Sequence, residues 1–319
     1  MKKSKIKKNS VLAVFLCFLF LGSYLIILKN ENYINNFSFS SYNQNLKSNQ
    51  ISVNFNKILR PQKKDSPFLI LDSKSALAAS LTIENINLKP KILYQSNPQK
   101  ILPIASISKL MTAVIVLENY PLNKKVKISK EAVLTYGESG RLKEGEVLSV
   151  ENLLYIMLIE SSNDAAEALS RIDDRKKFID KMNKKAEELA MESSYFSNPS
   201  GLDFEDNDIN YSSANDLLKL VVYILKEHPK IGEILSLKQY NLYSQNGYFH
   251  HHLLNTNQML EENNTLWGKT GSTLRAKDCL INLTKKDDYF IIITIVLGAG
   301  DKFEETRKLN TWIDSAFLW

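Results

Sequence analysis

Three short segments of this chain carry residue types that together suit nucleophilic catalysis. The first is Ser106-Ile107-Ser108-Lys109, followed by Leu110-Met111-Thr112-Ala113-Val114-Ile115-Val116-Leu117. That following run is apolar on nearly every side, which predicts a helix buried in the core. Residues three apart are neighbours on a helix, so Ser106 and Lys109 share a face while Ser108 points elsewhere. A hydroxyl at the start of a buried helix faces free backbone N–H groups and the positive end of the dipole, both of which favour developing negative charge. To act as a base near neutrality, Lys109 must lose roughly three units from an ordinary pKa of about 10.4, about 4 kcal/mol.

The second segment is Ser161-Ser162-Asn163, lying between an apolar helix (Leu153, Leu154, Met157, Leu158) and a small-residue helix that starts at Ala165-Ala166. The third is Gly268-Lys269-Thr270-Gly271-Ser272-Thr273, followed by the strand-like runs Cys279 to Leu283 and Tyr289 to Leu297. Glycines within a strand let another backbone approach closely, as when a sheet edge receives an extended peptide. Taken singly, each segment has an ordinary explanation: a serine N-cap followed by a surface lysine, a capped loop, a glycine-bearing strand.

Together, and in this order, Ser-x-x-Lys, Ser-x-Asn and Lys-Thr-Gly are the signature set of penicillin-binding proteins and serine β-lactamases. The chain resembles the low-molecular-weight D-alanyl-D-alanine carboxypeptidases from about Ser75 to its C-terminus. The resemblance is carried by Ala105-Ser106-Ile107-Ser108-Lys109-Leu110-Met111-Thr112-Ala113, Glu160-Ser161-Ser162-Asn163-Asp164-Ala165-Ala166, Asn198-Pro199-Ser200-Gly201-Leu202, Tyr211-Ser212-Ser213-Ala214-Asn215-Asp216-Leu217 and Asn255-Thr256-Asn257. Lys277 and Asp278 depart from it, standing where members often carry a small Ala-Gly pair.

The resemblance implies an α+β fold of the serine β-lactamase and D,D-peptidase type, an antiparallel sheet flanked by helices plus a mostly helical subdomain. It implies Ser106 as nucleophile, Lys109 as its base, Ser161 as proton relay to the leaving D-alanine and Asn163 as the group orienting Lys109. Lys269, Thr270, Gly271, Ser272 and Thr273 would bind substrate, with the oxyanion held by the N–H groups of Ser106 and Ser272. No metal or organic cofactor is implied; the expected partners are a peptidoglycan stem peptide and β-lactam inhibitors. Two other readings share the motifs: a serine β-lactamase, for which Asp203, Glu205 and Asp206 are the nearest acidic candidates, and a penicillin-binding sensor that acylates without turnover.

The rest of the chain constrains where this happens. The net charge is +6, but Lys2, Lys3, Lys5, Lys7 and Lys8 supply most of it, which leaves a nearly neutral body and argues against nucleic acid. Val11 to Leu28 is uncharged, and at about 1.5 Å per residue it would make roughly 27 Å of helix against about 30 Å of hydrocarbon. The nearest small-x-small candidate, Ser38-Phe39-Ser40, falls about ten residues too late for cleavage, so residues 1–28 read as a basic tip and a retained transmembrane anchor, the alternative being a signal sequence, with the chain beyond it extracytoplasmic. Residues 29–65, rich in Asn, Ser, Gln and Lys, read as a disordered linker, and 66–319 as the catalytic domain. A second departure from the resemblance is that the sequence runs only about fifty residues past Lys269, without the C-terminal β-rich domain and amphipathic anchor helix of many members, so the N-terminal helix would supply the membrane attachment instead.

Cys17 and Cys279 lie far apart and form no disulfide framework; Cys279 reads as a small buried hydrophobe in a strand. His250-His251-His252 invites a metal reading, but neighbours on a strand point to opposite faces, so it reads as a surface or loop run. Leu309, Trp312, Ile313, Ala316 and Phe317 fall at helical spacing and predict a C-terminal helix packed on the sheet.

Overall fold

A computed structural model describes residues 61–319 apart from 85–88, 138–139, 204–207, 245–246 and 263. The strand-like runs form β1 (Ser75–Thr82), β2 (Lys91–Ser96), β3 (Gln239–Tyr243), β4 (Phe249–Leu254), β5 (Thr265–Thr273), β6 (Lys277–Lys285) and β7 (Phe290–Ala299). Five of them make one antiparallel sheet in the order β5-β6-β7-β1-β2, and β3 pairs with β4 as a separate hairpin. The segment bearing Lys269-Thr270-Gly271 is thus an edge strand.

β7 is apolar at almost every position and buried along its length. An unbroken apolar run of this kind suits a strand covered on both faces, and the sheet is covered on both. On one face Leu77, Ala79, Ile291, Ile293 and Ile295 join the main core. On the other, Ala78, Ile292 and Val296 pack with Leu309, Ile313 and Ala316.

The longer helices are α1 (Lys109–Asn119), α2 (Val150–Ile159), α3 (Asn163–Ser170), α4 (Arg175–Glu188), α5 (Ala214–Glu227), α6 (Pro229–Leu235) and α7 (Lys302–Ala316). Side chains of α1 to α6 fill the main core, while α7 packs on the opposite face together with Phe317, Leu69 and Leu71. Their starts are fixed by local chemistry. Ser149 and Asn152 form a capping box for α2, and Ser162, Ser213 and Asp301 cap α3, α5 and α7.

The predicted C-terminal helix is present, but it ends at Ala316. Phe317 instead pairs in a short strand with Lys63, and Leu318 with Gln62. The boundary drawn at 65 therefore falls inside ordered chain, because this pairing is made by backbone groups that the polar composition of the segment does not reveal. Cys279 lies in β6 opposite Gly271, and burial pushes its thiol up to about 11, which leaves it an inert core group. Among the described residues no helix is long and apolar enough to cross a membrane; the anchor read over Val11 to Leu28 and the linker up to residue 60 lie outside them.

Ile293 is fully buried in the central strand, whereas Leu274 is fully exposed. Ile293→Ala should lower the unfolding free energy in urea by about 2–5 kcal/mol, and Leu274→Ala by less than about 0.5. Equal losses at the two positions would contradict the assigned core.

Candidate active site

The approach to Ser106 is held by backbone pairing. Leu102 and Pro103 pair with Ser212 and Tyr211, and Ile104 N–H donates to the Asn210 carbonyl at 3.2 Å. Ala105 then turns left-handed, with φ +47°. Ser106 does not start the α-helix as the sequence suggests: Ala105–Ser108 is a 3₁₀ turn, and α1 begins at Lys109. With three residues per turn, positions i and i+3 eclipse one another, so Ser106 and Lys109 meet more directly than on an α-helix. Ser108 points away as expected and donates its hydroxyl to the Ala105 carbonyl at 2.8 Å.

Lys109 has no exposed surface. Its Nζ lies 2.7 Å from Ser106 Oγ, and it donates to Asn163 Oδ1 at 2.7 Å and to the Ser200 carbonyl at 2.9 Å. The Ser200 carbonyl is aimed by its own turn, in which Asn198 Oδ1 accepts from Gly201 N–H at 2.7 Å and Thr112 Oγ1 donates to the Pro199 carbonyl at 2.6 Å. Gly201 sits at φ +84°, and a Cβ there would lie 1.9 Å from the Ala105 carbonyl oxygen. Only glycine allows the two turns to pack.

Asn163 opens α3, and its Nδ2 donates to the Tyr136 carbonyl at 3.0 Å. Ser161, two residues earlier, is left-handed at φ +62°. This conformation, unusual for serine, accompanies the contact of its hydroxyl with Lys269 on the edge strand. Lys269, 1% exposed, donates to Ser161 Oγ at 2.7 Å and to the Thr270 carbonyl at 3.0 Å. A serine and a buried lysine therefore meet twice, from the turn before α1 and from strand β5, and Asn163 adjoins the second serine.

Gly271 lets the Ser106 turn approach β5: an added Cβ would stand 3.1 Å from Ser106 N and 3.0 Å from the Ile104 carbonyl oxygen. Thr270 Oγ1 lies 2.6 Å from Thr256 Oγ1. Ser272 Oγ donates to Asp278 Oδ1 at 2.8 Å, directly across the ladder, and Thr273 Oγ1 accepts from Ala276 N–H at 3.1 Å. The departure at Lys277 and Asp278 is accommodated at the turn, where Lys277 takes φ +55° and Asp278 also pairs with Lys302 at 3.1 Å. Asp203 Oδ2 accepts from Arg275 N–H at 3.2 Å, so this acid serves the β5–β6 turn.

The histidine run is neither a loop nor wholly at the surface. It lies in β4, with His252 turned outward onto Asn241 and Gln239 and His251 buried against Glu160 at 2.9 Å. Alternation along the strand predicts one inward residue; that a carboxylate awaits it depends on pairing with a distant segment. No cluster of His, Cys, Asp and Glu suited to hold a metal occurs among the described residues. Thr256, noted in the sequence only within Asn255-Thr256-Asn257, is a contributor that local pattern alone did not single out.

The model of the family described as D-alanyl-D-alanine carboxypeptidase matches residues 72–301. The chain is 32% identical over 235 residues to a D-alanyl-D-alanine endopeptidase of Escherichia coli, covering 70% of this chain and 74% of that protein. It is also 32% identical to the D-alanyl-D-alanine carboxypeptidase DacF of Bacillus subtilis, where the match covers 71% of this chain and spans 59% of the relative. Among solved structures, penicillin-binding protein D2 of Listeria monocytogenes in its ampicillin-bound form superposes with a TM-score of 0.66 at 32% identity, covering 77% of this chain and 99% of that one.

The packing of the Gly201 turn on Ala105 can be tested against a second glycine. Gly247 is also left-handed, at φ +78°, but an added Cβ meets nothing within 4 Å. Gly247→Ala should cost about 1 kcal/mol in urea unfolding and Gly201→Ala clearly more, roughly 2–4 kcal/mol, from the added collision. Similar costs at both positions would show that the close approach is unimportant.

Proposed function

The chain belongs to the D-alanyl-D-alanine carboxypeptidase family and is a serine-type D-Ala-D-Ala carboxypeptidase, and from that premise we propose how its residues divide the work. Ser106 Oγ attacks the carbonyl carbon of the penultimate D-alanine while its proton passes to Lys109 Nζ. The observation that carries this reading is the 2.7 Å contact of Ser106 Oγ with a fully buried Lys109 that also reaches Asn163 Oδ1 and the Ser200 carbonyl. Burial penalises an ammonium and favours the free amine that a base requires.

The oxyanion of the tetrahedral intermediate is received by the N–H groups of Ser106 and Ser272, a pairing supported by the approach of Ser106 N to Gly271. On collapse, the C–N bond breaks and the leaving D-alanine nitrogen takes a proton through Ser161 Oγ. Lys269, which touches Ser161 and lies beside Thr270, supplies positive charge to the relay and to the substrate's terminal carboxylate. Thr270 and Thr273 complete that carboxylate site. Water then attacks the acyl-enzyme ester, returns a proton to Ser106 and releases the shortened peptide.

A second reading, cleavage of cross-bridges as an endopeptidase, is favoured by the match to the E. coli enzyme over 74% of its length. Free D-alanine from a pentapeptide and split dimers from cross-linked muropeptides, measured side by side, separate the two. The peptidoglycan substrate lies outside the cytoplasmic membrane, and Val11 to Leu28 with the lysines before it would hold the catalytic domain there as a single-pass anchor.

A fluorescent penicillin should label the wild type and Ser108→Ala but not Ser106→Ala, and an adduct mapped to Ser108 would overturn the choice of nucleophile. Lys109→Arg should abolish labelling, because a guanidinium with a pKa above about 12 accepts no proton, while Lys269→Arg keeps the charge and should label slowly. The reverse ranking of these two variants would reverse the assigned roles. The full-length protein should stay with membranes through carbonate washing; a soluble form shortened at its N-terminus would contradict the anchor.

A further inference from the structure

Four ionisable side chains that take no part in the reaction described above form a line ending at the Ser161 loop. His251 is 3% exposed, and its Nε2 lies 2.9 Å from Glu160 Oε2. The preceding His250 faces Glu146, with Nε2 and Oε1 at 3.0 Å. Between the two rings, His250 Nδ1 and His251 Nδ1 are 2.5 Å apart. The far end is tied down as well, since Glu146 Oε2 accepts from Lys143 N–H at 3.1 Å. At the near end, Glu160 immediately precedes Ser161, the residue held at φ +62°.

The other ionisable groups on the elements packed against β4 have partners of their own. On α2, Glu151 pairs with Lys230 at 3.4 Å and Tyr155 packs tilted against Tyr240 of β3 at 4.5 Å; also on β3, Tyr243 meets Phe249 edge-on at 5.7 Å. His252 occupies the outer face of β4, on Asn241 and Gln239. Across the loop, Lys269 donates to Ser161 Oγ itself.

We propose that His251 is a positioning residue for this hydrolysis: through Glu160 it fixes the left-handed backbone of Ser161. The proposal rests on Ser161 being the proton relay of the acylation at Ser106.

The test is the second-order rate of acylation of the full-length chain by a fluorescent penicillin, with thermal unfolding followed on the same samples. His250→Leu leaves the contact of His251 with Glu160 in place and should acylate at nearly the wild-type rate. His251→Leu should slow acylation about tenfold or more, and His251→Gln, whose amide still donates to Glu160, should recover most of the loss. Wild-type acylation in a folded His251→Leu, or a His251→Gln no faster than His251→Leu, would overturn the proposal. If penicillin fails to acylate the wild type at Ser106, the reading of the active site fails first and this inference goes with it.

Discussion

The structure is organised around the burial of two lysine amines. Lys109 and Lys269 are 0% and 1% exposed, and each touches the hydroxyl of a serine at 2.7 Å. Removing a lysine amine from water is costly unless every N–H finds an acceptor or the proton is given up. The surrounding chain meets that constraint with oxygens drawn from four separate segments: the turn before α1, the Ser161 loop, the turn at Asn198 to Leu202, and the edge strand β5.

Bringing those segments together forces the backbone into uncommon states where they converge. Ala105 and Ser161 are left-handed although neither is glycine, and conformations of this kind cost of order 1 kcal/mol or more each. They persist because the neighbourhood over-determines them. Ala105 is pinned between the Leu102–Pro103 pairing and the 3₁₀ turn, and Ser161 lies between the capped start of α3 and the end of α2, where Thr256 N–H donates to the Ile159 carbonyl at 3.2 Å. The three-layer packing around the sheet supplies the rigidity behind them.

The chemistry was legible in the sequence to an unusual degree because its three motifs are local and ordered. The spacing of Ser106 and Lys109 predicts a shared face, and the structure shows it. The buried Cys279 strand and the C-terminal helix were equally readable, since apolar alternation and helical period are properties of short windows. What escaped depends on distant partners. Nothing near Gln62 announces its pairing with Leu318, and nothing near His251 announces Glu160. The exchange of an α-helical start for a 3₁₀ turn at Ser106 follows from the left-handed Ala105, a conformation that the sequence around an alanine does not signal.

The central claim is the proposal that Lys109 takes the Ser106 proton, which requires that burial disfavour its ammonium form. The most direct measurement is an NMR titration of protein carrying 13C at the lysine Cε, with Lys109 assigned by comparison with Lys109→Arg. The account predicts that Lys109 gives the chemical shift of a free amine at neutral pH, and that in Lys269→Ala its protonation moves to higher pH. A Lys109 signal that remains that of an ammonium throughout the range in which the enzyme acylates would contradict it.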